Sequence, residues 1–385
     1  MKEGRLKRLA LVLLRTIVSV GLITYVFVYM IEYADSVRLA DGSERRGRVL
    51  DVNDQGVRIR EEDGAEVFLP SSDLLPADEG APVHYGFVAV VSRSNPKLLA
   101  LGFAILFAVN MVALYRLWLL FLSQGIALPL RDVFRWHFIG NFYNTFLPGL
   151  TGGDLVKAFY VIQRTQGRRT AAAVTILFDR VIGIVALAML AGTVLAFRLT
   201  DPRLREAAIV IYGFLGAFSV GSCLFYSRRV RRFLRIDRLI EILPLAGVVK
   251  RIDEAVFLFR YRKGAVLTAM GLSIFAHSVS ILVNYTFGLA LGLREVDLAH
   301  YFVFVPTIMI LSVIPISLGG FGFGEAMYLH FFQAVAPGGT DVGNRAVALS
   351  LVMRLSQTLW SLLGGFFLLR GEPRATEEDL RRVAE

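Results

Sequence analysis

Residues 131–164, RDVFRWHFIGNFYNTFLPGLTGGDLVKAFYVIQR, and residues 300–332, HYFVFVPTIMILSVIPISLGGFGFGEAMYLHFF, share one grammar. Each has an apolar arm, a proline, a glycine-rich tip, an acidic residue (Asp154 or Glu325) and a second, shorter apolar arm. The arms after the acids cover residues 155–163 and 326–336. At about 1.5 Å of rise per helical residue they are too short to cross a hydrocarbon core about 30 Å thick. Each stretch is therefore expected to be a helical hairpin that enters the membrane and returns.

Around these hairpins the chain reads as an integral membrane protein. It has 385 residues, 55% of them hydrophobic and only 19% charged, where a soluble protein carries roughly 25% charged residues. Apolar spans are expected at about 98–122, 171–197, 207–226, 264–292 and 345–369. A first helix at about 9–31 is too long for the core of a signal peptide. The fold class is thus an all-α polytopic membrane protein of about six spanning helices plus two re-entrant helical hairpins, with a small β-rich exterior insertion.

That insertion occupies residues 32–97 and carries 13 acidic and 8 basic residues, against a net charge of +10 for the whole chain. Its short segments 37–39, 47–52, 57–60 and 66–69 are separated by Asp41-Gly42, Asn53-Asp54-Gln55-Gly56 and Asp63-Gly64, which are hairpin turn signals. A small β module over 36–75 is expected. The remaining divisions are the first helix (1–31), a first membrane repeat with an extra helix (98–226), a basic amphipathic segment (227–263), a second membrane repeat (264–369) and a tail (370–385). Residues 228–263 hold 11 basic and 4 acidic side chains among apolar ones, a pattern suited to anionic headgroups.

Two hairpins and six spans put 26 Lys and Arg on the cytoplasmic side and 13 outside, eight of the latter in the insertion. This is the asymmetry that the positive-inside rule describes, and it puts both termini in the cytoplasm. With that topology the unit 98–197 starts outside and the unit 264–369 starts inside, so the two are inverted repeats. Inverted repeats with broken helices are a recurring architecture of secondary transporters.

Few residues are left for chemistry inside the bilayer. Cys223 is the single cysteine and the five histidines are scattered, so no metal and no cofactor is expected. The P-loop, zinc-protease and nucleophile-elbow motifs are absent, and the chain is not expected to be an enzyme. Asp154, Asp179, Arg180, Glu325 and Arg354 are ionisable groups in apolar surroundings, which must pair or face water. Asp154 precedes Arg180 by 26 residues and Glu325 precedes Arg354 by 29. Pro148, Gly149, Gly152 and Gly153 at one tip, and Gly319, Gly320, Gly322 and Gly324 at the other, leave amide groups free at a helix start, where anions bind. Asn141, Asn144 and Ser317 could add neutral donors, and Arg180 and Arg354 suit bidentate phosphate recognition. The competing reading is structural: Asp154 and Glu325 cap helices, the glycines allow close packing, and Arg180 neutralises Asp179 or Asp154.

The segment NFYNTFLPGLTGGDLVKAF from Asn141, the following Asp179-Arg180, and PISLGGFGFGE from Pro315 resemble the lysylphosphatidylglycerol synthase transmembrane family, also called flippase-like integral membrane proteins. The resemblance covers roughly residues 98–369. It implies that Asn141, Asn144, Pro148, Gly149, Gly152, Gly153, Asp154, Asp179, Arg180, Gly319, Gly320, Gly322, Glu325 and Arg354 line or shape a lipid-headgroup cavity. Members of that family move an aminoacylated phospholipid between leaflets or accompany lipid-linked glycan and prenoid pathways. No aminoacyltransferase domain follows residue 369 in this sequence, so lipid aminoacylation is not expected, and the 32–97 insertion is not part of the resemblance.

The expected function is translocation of an anionic or zwitterionic phospholipid across a bacterial plasma (inner) membrane, the headgroup held between the hairpin tips. The alternatives are a non-transporting partner of a glycosyltransferase acting through the exterior module, and an intramembrane enzyme acting on lipid phosphate. Partners are membrane lipids and a protein docking on residues 32–97; nucleic acid is not expected.

Overall fold

The computed structural model describes residues 17, 20–21, 24–61, 63–76, 82–146, 152–165, 169–226, 259, 262–313, 321–335 and 340–370. Five of its helices are long and apolar enough to cross a membrane: Pro96–Ser123, Thr170–Ala196, Pro202–Cys223, Lys263–Ala290 and Val342–Leu369. Most of the expected first helix and the amphipathic segment, and nearly all of the tail, lie outside the described residues, so the sixth span does too.

The β module is a five-stranded antiparallel sheet in the order β4-β3-β2-β1-β5, with β1 Asp35–Arg38, β2 Glu44–Asn53, β3 Gly56–Glu61, β4 Glu66–Pro70 and β5 Val83–His84. Alternation puts Val37, Val49, Val57, Ile59 and Leu69 in one core and leaves Arg48, Arg58 and Arg60 exposed. The turns form where the sequence signals them. Gly42 and Gly64 have φ of 82° and 87°, a left-handed conformation that costs a side chain about 1–2 kcal/mol. Asp41 and Asp63 accept the backbone N–H two residues on, at 2.8 and 2.9 Å. β5 is a strand that the sequence reading missed, because a two-residue pairing has no periodicity to detect.

The helices are α1 Phe87–Ser92, α2 Pro96–Ser123, α3 Leu130–Phe146, α4 Gly152–Arg164, α5 Arg169–Ala196, α6 Arg205–Tyr226, α7 Lys263–Ala290, α8 Leu298–Leu311, α9 Phe323–Gln333 and α10 Thr340–Leu369. At about 1.5 Å per residue, α4 is about 20 Å long and α9 about 17 Å, both shorter than a bilayer core.

By compactness the chain falls into two units. One comprises Met1–Phe103, Val283–Phe304 and Ile316–Leu355; it holds the β module and α9. Its apolar core includes Val26, Ile31, Leu329 and Val347. The other comprises Ala104–Leu282, Val305–Pro315 and Ser356–Glu385; it holds α3 and α4. There Leu114, Phe121, Ile139, Val156, Phe159 and Ile176 belong to one buried apolar cluster around the first hairpin.

Candidate functional site

In the first hairpin, α3 and α4 touch at two glycines. A Cβ on Gly153 would collide with the Gly140 carbonyl, and one on Gly140 with the Lys157 side chain and the Gly153 carbonyl. Gly140 and Gly153 thus let the two helices approach closely. Asn144 accepts a hydrogen bond from the Gly153 N–H at 2.9 Å and so caps α4 from the opposite arm. One turn earlier, Asn141 donates to Asn110 Oδ1 at 3.3 Å and lies 3.1 Å from His137 Nε2. Gly152 is the first residue of α4. Pro148 and Gly149 lie outside the described residues.

Asp154, the third residue of α4, uses both carboxylate oxygens. One pairs with Arg180 Nε on α5 and the other lies 3.4 Å from Lys157 Nζ. Their exposures differ in a way that matters: the side chains of Asp154 and Lys157 are 16% and 11% exposed, that of Arg180 42%. The acid is the more enclosed partner of the pair.

Asp179 does not join this pair. Arg116 on α2 binds it bidentately, Nε to Oδ1 at 2.7 Å and one terminal nitrogen to Oδ2 at 2.8 Å, and donates to Ser273 on α7 at 2.7 Å. His277 on α7 contacts the Gly183 carbonyl of α5 at 3.0 Å. This ties three long helices together with a buried ion pair. Beyond the five ionisable groups singled out in the sequence, the described helices add two buried cations, Arg116 and Lys157, and a buried acid, Asp132, each 8% exposed. Both cations were detectable, Arg116 as a lone charge within an apolar helix and Lys157 as a cation one turn after Asp154.

The second hairpin repeats the pairing of the first. Glu325 is the third residue of α9, and Arg354 of α10 donates through Nε to its Oε1 at 2.8 Å. Oε2 accepts the Gly322 N–H at 2.7 Å, so Glu325 caps its own helix. Gly322 has φ of 78°, which a side chain adopts only under strain. Gly324 leaves space for Arg354, since a Cβ there would lie 3.0 Å from a terminal guanidinium nitrogen. The guanidinium also lies over the Phe321 ring at 4.1 Å. Glu325 is 2% exposed. Ser317, Gly319 and Gly320 lie outside the described residues.

The structure therefore decides a pairing that sequence left open: Asp154 pairs with Arg180, and Glu325 with Arg354. Each site can present a partly accessible guanidinium held by a buried carboxylate, next to a helix start. Among the described residues no cluster of His, Cys, Asp and Glu is suited to a metal ion.

Two short helices, α4 and α9, each carry an acid paired with an arginine on the next long helix, in a chain with five helices long and apolar enough to cross a membrane, which defines a polytopic membrane protein. Residues 86–365, well over half of the chain, match the family described as "Lysylphosphatidylglycerol synthase TM region", and the chain belongs to that family. It is thus a membrane protein of a family associated with lipid modification or transport. No curated protein and no solved structure matches the chain.

Proposed function

We propose that the protein is a flippase-like lipid transporter, moving an anionic or zwitterionic phospholipid headgroup between leaflets while the acyl tails stay in the bilayer. The observation that carries this reading is the repeated acid–arginine pair at the start of each return arm. A lipid phosphate can take the place of the carboxylate on Arg180 or Arg354, because both anions accept the same forked N–H geometry. The exchange keeps each guanidinium neutralised throughout, which limits the cost of a charge in the membrane. No bond in the lipid is made or broken. In this reading the hairpins are re-entrant, the two repeats are inverted, both termini are cytoplasmic and the β module is exterior.

The test is reconstitution of the full chain into vesicles containing fluorescent phosphatidylglycerol or phosphatidylcholine. Labelled lipid should change leaflet faster than in empty vesicles, and Arg180→Ala and Arg354→Ala should each slow it at least tenfold, the effect of losing about 1.4 kcal/mol of transition-state stabilisation. Transfer no faster than in empty vesicles would sink the reading.

A second reading, a non-transporting partner of a membrane glycosyltransferase, is supported by one observation: the β module lies outside the residues matched to the family. It predicts that deleting residues 36–83 abolishes cellular function while Arg180→Ala, which costs the fold about 1 kcal/mol or less, is harmless.

A further inference from the structure

The β module is joined to the rest of its unit through a neck, and both strands of that neck meet one side chain. Asn344, in the second turn of α10, is 2% exposed. Its carboxamide oxygen accepts the Glu32 N–H at 3.0 Å, and its NH2 donates to the Glu32 carbonyl at 3.0 Å and the Tyr85 carbonyl at 3.2 Å. Glu32 is the chain entering the module and Tyr85 the chain leaving it. The two strands are further joined by the Phe87 N–H, which donates to the Glu32 carbonyl at 2.8 Å, and by buried Asp35, which accepts the Gly86 N–H at 2.8 Å.

Beside this clamp the neck packs on the second hairpin. Ile31 and Phe87, with Val26 and Phe27, form one apolar cluster with Ala326 and Leu329 of α9 and Val347 and Leu351 of α10. Ala326 directly follows Glu325, and Leu351 lies one turn before Arg354. The neck therefore bears on the same two helices whose spacing sets the Glu325–Arg354 pair. Separating them means opening that cluster, and the three Asn344 hydrogen bonds keep the neck seated on it. Asn344 is itself buried, so its carboxamide left without these partners would cost free energy.

We propose that Asn344 is a positioning residue through which the β module holds the Glu325–Arg354 pair closed. The module then acts as a brake on the second hairpin, and whatever displaces its neck frees Arg354. The consequence for transport rests on the lipid-translocation reading; the mechanical link does not.

The experiment is hydrogen–deuterium exchange on the full chain in nanodiscs of phosphatidylglycerol and phosphatidylcholine. Asn344→Ala, and Asn344→Asp, which keeps the acceptor and loses both donations, should each lower protection of the α9 amides about tenfold, a local opening. The amides of β2, β3 and α4 should keep theirs. Unchanged α9 protection, or equal loss in α4, would overturn the proposal. In the vesicle assay Asn344→Ala should alter lipid transfer in the wild-type chain and add nothing once Arg354 is Ala; full additivity would also overturn the coupling. If the wild-type chain moves no lipid, the transport reading falls, while the exchange measurement still decides the role of Asn344.

Discussion

The two hairpins solve the same electrostatic problem with different parts. Both place an acid third in the return arm and pair it with an arginine on the next long helix. In the first, Asp154 has a second cation, Lys157, on its own helix, and the helix start is capped by Asn144 from the other arm. In the second, Glu325 does both jobs, one oxygen on Arg354 and one on the Gly322 N–H, and it is almost fully buried. The difference teaches that the first site has a second cation, Lys157, to hold its acid if Arg180 turned to a lipid phosphate as proposed above. Among the described residues, the second keeps only a backbone amide. Equivalent sequence positions thus carry unequal energetic loads.

The sharpest way to break that comparison is to remove each arginine. Arg354→Ala strands a buried carboxylate and should destabilise the protein by about 3–5 kcal/mol. Arg180→Ala should cost about 1 kcal/mol or less, because its side chain is 42% exposed and Lys157 remains, in the range of exposed pairs. Chemical unfolding of purified chains measures both, and equal losses would refute the asymmetry. Adding Lys157→Ala to Arg180→Ala should raise the loss well above that of either single change.

Backbone geometry comes next. Gly153→Ala should cost about 1–3 kcal/mol by overpacking against the Gly140 carbonyl, and Gly322→Ala about 1–2 kcal/mol by its left-handed conformation. A compensating Gly140 change cannot rescue the first, since the obstacle is backbone. Thermal melts followed by circular dichroism rank the two.

Asn144→Ala should cost about 1 kcal/mol, the usual value of a helix cap. Among the described residues the self-capped second hairpin has no counterpart to this residue, so an equal loss from any neutral side chain on α8 would blur the distinction.

The smallest effect concerns the β module. Hydrogen bonding and charge from Arg60 hold the Glu66 carboxyl below its ordinary 4.5, and hydrogen bonds from Ser43 hold Asp41 below 3.8. A carboxyl lowered by folding stabilises at neutral pH, and that contribution fades as pH falls from its ordinary value through the folded one. The strand amides of β2–β4 should therefore lose slight protection below about pH 4.5, and Arg60→Ala should remove the Glu66 share of the change. Exchange measured across that range checks it.

Much of this architecture was legible in the chain. The turn pairs Asp41-Gly42 and Asp63-Gly64 marked the sheet because only particular residues accept those backbone angles. The acids at 154 and 325 marked the starts of the return arms because a charge in an apolar run needs a reason. Arg116 was equally visible as a lone charge and Lys157 as a cation one turn after Asp154, yet the partner of Arg116 was not, because it reaches Asp179 across 63 positions of sequence. Nor could Asn344 be singled out: an asparagine near a helix start looks like a surface residue until the neck is seen to close over it.

Sequence alone determined what hydropathy, charge and turn chemistry dictate locally: the membrane class, the five described spans, the β insertion and the two breaks with their acids. Only the tertiary structure decided the partners, Asp154 with Arg180, Glu325 with Arg354, Asp179 with Arg116, and the module's neck with Asn344. The physical reason is that the cost of an unpaired charge or amide in a buried site compels a partner to exist. Which residue supplies it depends on how helices far apart in sequence cross in space.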